Sequence, residues 1–136
     1  ACRTYAPSTL SIISLRCDGM TILGIGVNVV DLARFTATLE RTPTRRSRLF
    51  TESERDLPVE SLAGRFAAKE ALAKAMGAPA GLSWQDFEIV NDARGAPSFL
   101  LHGAAPERLT AMGIETVHLS ISHDTTVATA FVVTEC

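Results

Sequence analysis

Short apolar runs with a period of two alternate along this chain with longer runs of helical period. Residues 21–30, "TILGIGVNVV", are rich in β-branched side chains and predict a strand. Alternation puts Thr21, Leu23, Ile25, Val27 and Val29 on one face, and Ile22, Gly24, Gly26, Asn28 and Val30 on the other. Glycines on a strand face let a ligand or another chain approach the backbone. In "DLARFTATLER" the residues Leu32, Phe35 and Leu39 recur at helical spacing, Asp31 suits the helix N-terminus, and Pro43 ends the helix. Thr51 followed by Glu54 resembles a capping box for a short helix. The main helix is expected from about Glu60 to Met76, with Gly77 as its cap; Leu62, Phe66, Ala73 and Met76 form its apolar stripe, and its alanines suit packing on both sides. "NDARGAP" predicts a turn between strands at 87–90 and 98–101, and "PERLTAMG" a short helix. "VHLSISHDTTVATAFVVTE" predicts two strands joined near His123–Thr125. The sum is a single α+β domain, an antiparallel sheet packed with one long and several short helices.

Composition narrows the class. A chain of 136 residues holds one domain with a real core, and 46% hydrophobic with 21% charged residues is globular composition. The formal net charge of −2 gives no global basic field for nucleic acid. Three scattered cysteines, Cys2, Cys17 and Cys136, with no CxxC spacing, argue against a disulfide scaffold or a zinc site and fit a reducing compartment. No apolar run approaches the roughly 20 residues that span a bilayer. Met20 reads as a natural start, and residues 1–19 as an N-terminal extension, non-native or flexible, ahead of a domain at 20–136.

Several side chains invite chemistry, each with a plainer alternative. Glu70 lies at the border of the long helix's stripe with Lys74 one turn on; the pair is either a surface i,i+4 contact or a carboxylate and a phosphate-binding lysine at a groove edge. His118, Ser120 and Ser122 share one strand face, facing either solvent or a site. His123 and Asp124 are either turn residues or an acid–base pair. "GIG" is not a dinucleotide loop, because the third glycine of GxGxxG would fall at Val29. Arg41, Arg45, Arg46 and Arg48 cluster in "RTPTRRSR", a basic surface for an acidic partner or a solvated loop.

Three stretches, "ILGIGVNVVDLARF", "LAGRFAAKEALAKAMG" and "HLSISHD…ATAFVVTE", stand in the order and spacing of the holo-acyl-carrier-protein synthases, the small 4′-phosphopantetheinyl transferases. The chain resembles this family over essentially residues 20–135, and its actinobacterial members in particular. The resemblance implies transfer of 4′-phosphopantetheine from coenzyme A to a serine of an apo acyl carrier protein of fatty-acid or polyketide synthesis. It also implies a Mg²⁺ requirement, a cytoplasmic location, and a homotrimer with coenzyme A in clefts between protomers; neither nucleic acid nor membrane is a partner. By the same resemblance Glu70 is a metal ligand, and Lys74, Arg65, His118 and Gly77 lie on the coenzyme side, with backbone amides near Gly77 in reach of phosphate. His123 and Asp124 match a turn close to the site. Glu70, His123 and Asp124 are the candidate proton acceptors. Arg34 joins Arg41, Arg45, Arg46 and Arg48 as a docking surface for the carrier protein.

One position departs from the family, whose second metal carboxylate is an aspartate in "G-I-G-x-D". Here it is Asn28. Asparagine keeps the shape and one oxygen but removes a charge, so weaker Mg²⁺ binding is expected, and Asn28→Asp is expected to lower the Mg²⁺ needed for activity. A natural variant, an engineered substitution and compensation by Asp31 all remain open. A catalytically weakened or non-catalytic homologue that binds coenzyme A or carrier protein is the alternative reading.

Overall fold

The computed structural model describes residues 20–136. The predicted extension at 1–19 lies outside the described residues. Five strands and four α-helices follow in order: β1 (Ile22–Asp31), α1 (Leu32–Arg41), α2 (Thr44–Leu49), α3 (Val59–Ala75), β2 (Phe87–Asn91), β3 (Pro97–Leu101), α4 (Ala105–Ala111), β4 (Thr116–His123) and β5 (Val127–Glu135). A 3₁₀ turn at Trp84–Asp86 leads into β2. The strands form two antiparallel sheets, β1–β5–β4 and the hairpin β2–β3, where one sheet was expected.

The three-stranded sheet is two-sided. Its inner face carries Gly26, Val30, Ala128, Ala130, Val132 and Thr134, all buried against α3. Small residues there have a steric cause. A Cβ on Gly26 would lie 1.8 Å from the Ala71 carbonyl oxygen, and one on Gly24 2.0 Å from that of Ala75. The glycines of β1 therefore admit the chain's own helix, rather than the ligand or second chain expected from the sequence. A bulge between Ile22 and Gly24 also breaks the predicted alternation, exposing Ile22 and packing Leu23 against the core.

Helix α3 is buried nearly all round, as its alanines suggest, and carries a buried lysine at its centre. The Lys69 ammonium donates to Glu54 Oε1 at 2.8 Å, Leu49 O at 2.7 Å and Trp84 O at 3.1 Å. Burial lowers the Lys69 pKa below the ordinary lysine value, and the bond to Glu54 offsets part of that. The Thr51–Glu54 box forms, with Glu54 Oε1 accepting from Thr51 N at 3.0 Å. Residues 52–57 nonetheless run as turns and not as the expected helix, the Glu54 carboxylate being drawn under α3 by Lys69. Cys136 is disulfide-bonded, which the scattered cysteine spacing did not predict.

Candidate active site

The second half of β1 and the last turns of α3 bring together two of the predicted site residues. The Lys74 ammonium donates to Val27 O at 3.0 Å and to Asn28 Oδ1 at 3.2 Å. Thr129 Oγ1 donates to the Asn28 carbonyl at 2.9 Å and so fixes the backbone of that residue from β5. Glu70 stands one turn before Lys74 on α3 and is half-buried. It forms no ion pair with Lys74, so the surface-pair reading of these two residues does not hold; the ammonium turns to β1 instead. Among the described residues the Glu70 carboxylate has no hydrogen-bond partner.

A cleft of ≈ 210 Å³ opens beside this cluster, lined by Asn28, Asp31, Arg34, Phe35, Arg45 and Phe66 among others. Phe35 and Phe66 stack at 5.5 Å between centroids and form its apolar side. Asp31 caps α1, its Oδ2 accepting from Arg34 N at 2.8 Å. That carboxylate is committed to the helix end, which weighs against compensation for Asn28. Arg34 and Arg45 are the two arginines of the predicted basic surface on this cleft. Arg41 and Arg48 are exposed outside its lining, and Arg46 turns inward to donate to Arg55 O at 2.8 Å.

The other predicted residues stand apart. Arg65 points to the buried polar cluster, with Nε 3.7 Å from Glu54 Oε2 and no hydrogen-bond partner for that atom. Its pKa is lowered by burial, against the pull of Glu54 and Glu88. His118 lies on the outer face of β4, opposite the α3 side, and bonds Glu135. His123 is exposed at the end of β4. Asp124 Oδ1 accepts from Thr125 N at 2.7 Å, closing the β4–β5 turn. Gly77, at φ +80°, takes the left-handed position after α3, but its N–H donates to Lys74 O at 3.0 Å and that of Ala78 to Ala73 O at 2.7 Å. The cap uses both amides, leaving none of the free donors expected there.

Sequence reasoning missed the lock by Thr129 and the buried Glu54–Lys69 pair. A lysine inside "AAKEA" is indistinguishable from a surface helix lysine; only the glutamate of the capping box hinted at its partner. Among the described residues no group of three or more His, Cys, Asp or Glu side chains could hold a metal ion. A Mg²⁺ ion, however, uses one or two protein carboxylates and takes phosphate oxygens for the rest. The Glu70 carboxylate and Asn28 Oδ1 fit that donor set, with one negative charge between them.

Known proteins resemble this chain in both sequence and fold. The holo-[acyl-carrier-protein] synthase of Clavibacter sepedonicus is 60% identical over 114 residues, 84% of this chain and 96% of that protein. The crystal structure of holo-[acyl-carrier-protein] synthase from Neisseria meningitidis superposes with a TM-score of 0.80 at 36% identity, over 85% of this chain and all of that one. The synthase of Bacillus anthracis in complex with CoA (3′,5′-ADP) gives 0.69 at 38% identity, over 86% of this chain and 98% of the other. The model of the 4′-phosphopantetheinyl transferase superfamily matches residues 24–130. That span runs from the glycines of β1, through Asn28, Glu70 and Lys74, to the middle of β5, and the chain belongs to the 4′-phosphopantetheinyl transferase superfamily.

Proposed function

We propose that this chain is a holo-acyl-carrier-protein synthase, transferring 4′-phosphopantetheine from coenzyme A to a serine hydroxyl of an apo acyl carrier protein. The observation that carries the reading is the Lys74 ammonium held at Asn28, one turn from a Glu70 with no partner among the described residues, beside a cleft that Asn28, Arg34 and Arg45 line. The serine oxygen attacks the phosphorus that bears the pantetheine arm. The bond from that phosphorus to the bridging pyrophosphate oxygen breaks, and adenosine 3′,5′-bisphosphate leaves. Lys74 faces the charge that builds on the leaving group. Of the three candidate acceptors for the serine proton we favour Glu70, whose carboxylate stands one turn from Lys74 with no hydrogen-bond partner among the described residues, whereas Asp124 Oδ1 is engaged in its turn. Glu70 and Asn28 would hold Mg²⁺, which would supply further neutralisation of the pyrophosphate.

We propose further that the protein is a homotrimer with coenzyme A between protomers. The outer sheet face supports this: Ile25, Val27, Val29 and Phe131 are exposed there at 57%, 48%, 64% and 46%. His118 lies on this same face, away from Lys74, so it meets the chemistry only if a neighbouring copy covers the face. A cytoplasmic location rests on the substrates; among the described residues no helix is long and apolar enough to cross a membrane.

The test is incubation with apo carrier protein, coenzyme A and Mg²⁺, read as the phosphopantetheine mass shift on the carrier. No shift at saturating Mg²⁺, with coenzyme A still bound, favours the binding-only homologue that Asn28 alone supports.

A further inference from the structure

Lys74 differs from an ordinary surface lysine in what holds it. Both of its acceptors, Val27 O and Asn28 Oδ1, are neutral oxygens. Neither Glu70, one turn away, nor any other described carboxylate comes within ion-pairing distance of it. An ammonium has three donors, and two are spent fixing its position. The third N–H and the whole positive charge remain for an anion, at a point on β1 made rigid by the bond from Thr129 to Asn28 O. A carboxylate at position 28 would hold the same ammonium in an ion pair and cancel its charge until a cation displaced it. Asparagine holds it without that cancellation.

We infer that Lys74 binds the pyrophosphate of coenzyme A in this chain without a divalent metal, and that the neutral side chain of Asn28 is what uncouples coenzyme binding from metal binding. The inference rests on the reading of the cleft as a coenzyme site. Coupling between two ligands is reciprocal, so a site that binds coenzyme nearly as well without Mg²⁺ also gains little Mg²⁺ affinity from the coenzyme. Position 28 then sets a trade. Asn28 favours metal-free capture of the substrate. An aspartate would weaken that capture and bind metal and coenzyme together.

The experiment is calorimetric titration of the full chain with coenzyme A, once in excess chelator and once in excess Mg²⁺ at matched ionic strength, for the wild type, Asn28→Asp and Lys74→Gln. Wild-type affinity in chelator is expected within about threefold of that in Mg²⁺, below the usual 5–150-fold range of coupling between sites. Asn28→Asp is expected to bind about three- to fivefold more weakly in chelator, the size of one exposed ion pair that must be broken, and to recover on adding Mg²⁺. Lys74→Gln is expected to lose the metal-free binding. Wild-type binding that appears only with Mg²⁺ overturns the inference and leaves the proposed function standing. So does equal metal-free affinity of wild type and Asn28→Asp, or metal-free binding that survives Lys74→Gln. No coenzyme binding in either condition overturns the inference together with the reading of the site. Should a variant fail to fold, the wild-type comparison alone still decides whether capture needs metal.

Discussion

Lys69 Nζ lies 2.8 Å from Glu54 Oε1, with both side chains almost wholly removed from solvent. The pair ties the turn after α2 to the centre of α3, one residue before Glu70, and the same ammonium holds the Leu49 and Trp84 carbonyls. Removing one partner leaves the other charged and buried. Lys69→Met is therefore expected to cost about 3–5 kcal/mol in urea unfolding. Lys69→Met combined with Glu54→Gln is expected to cost less than the sum of the two single changes, because no lone charge then remains inside.

Gly26 and Gly77 separate two uses of glycine. Gly26→Ala drives a methyl into the Ala71 carbonyl and forces α3 off β1, with an expected loss of roughly 3 kcal/mol and a clear fall in thermal midpoint. A Cβ on Gly77 meets nothing within 4 Å, and only its φ of +80° resists substitution. Gly77→Ala is expected to cost about 1–2 kcal/mol in the same measurement.

The arginines divide into two groups. Arg34→Glu and Arg45→Glu are expected to raise the KM for the carrier protein about tenfold with little change in kcat, an effect that shrinks as salt rises. Arg46→Ala removes the bond to Arg55 O and is expected to lower stability while leaving that KM nearly unchanged. Steady-state kinetics at two ionic strengths, with a melting curve for each variant, reads both.

Glu88 makes stability depend on acid. A hydrogen bond from Ser53, helped by His102 and Thr51 and opposed by burial, lowers its pKa from 4.5 to about 2. A carboxylate whose pKa is lower in the folded state binds fewer protons there. Its contribution is complete above the unfolded value and is lost as pH falls from about 4.5 towards about 2. Denaturant titrations across that window are expected to show a falling stability whose slope is reduced in Glu88→Gln.

The outer sheet face gives a direct test of assembly. Phe131→Lys puts a charge at the middle of the apolar patch, opposite Val27 and Ser120 in register. If the proposed trimer forms through this face, light scattering is expected to show the unaltered chain at three times the mass of this variant.

Much of the architecture is local and was therefore legible in the sequence. β-branched runs, the Asp31 cap, the glycine after α3 and the turn at residues 92–96 act within a few residues, and the five strands and the helices α1, α3 and α4 stand within one or two positions of the expected ones, whereas α2 was not expected and the short helix expected at Thr51–Glu54 runs as turns. The motif around Glu70 and Lys74 pointed to the family, and Asn28 marked the position that departs from its pattern. Tertiary structure decided what those residues touch. The glycines of β1 make room for α3, Lys69 is a core residue, and Lys74 turns from Glu70 to the β1 carbonyls. The amides at Gly77 are consumed by the cap, and His118 faces away from the cleft. Each of these depends on which element packs on which face, a contact between residues tens of positions apart. The period of a strand or helix cannot specify such a contact, because the same alternation fits a helix, a ligand or another chain lying on that face.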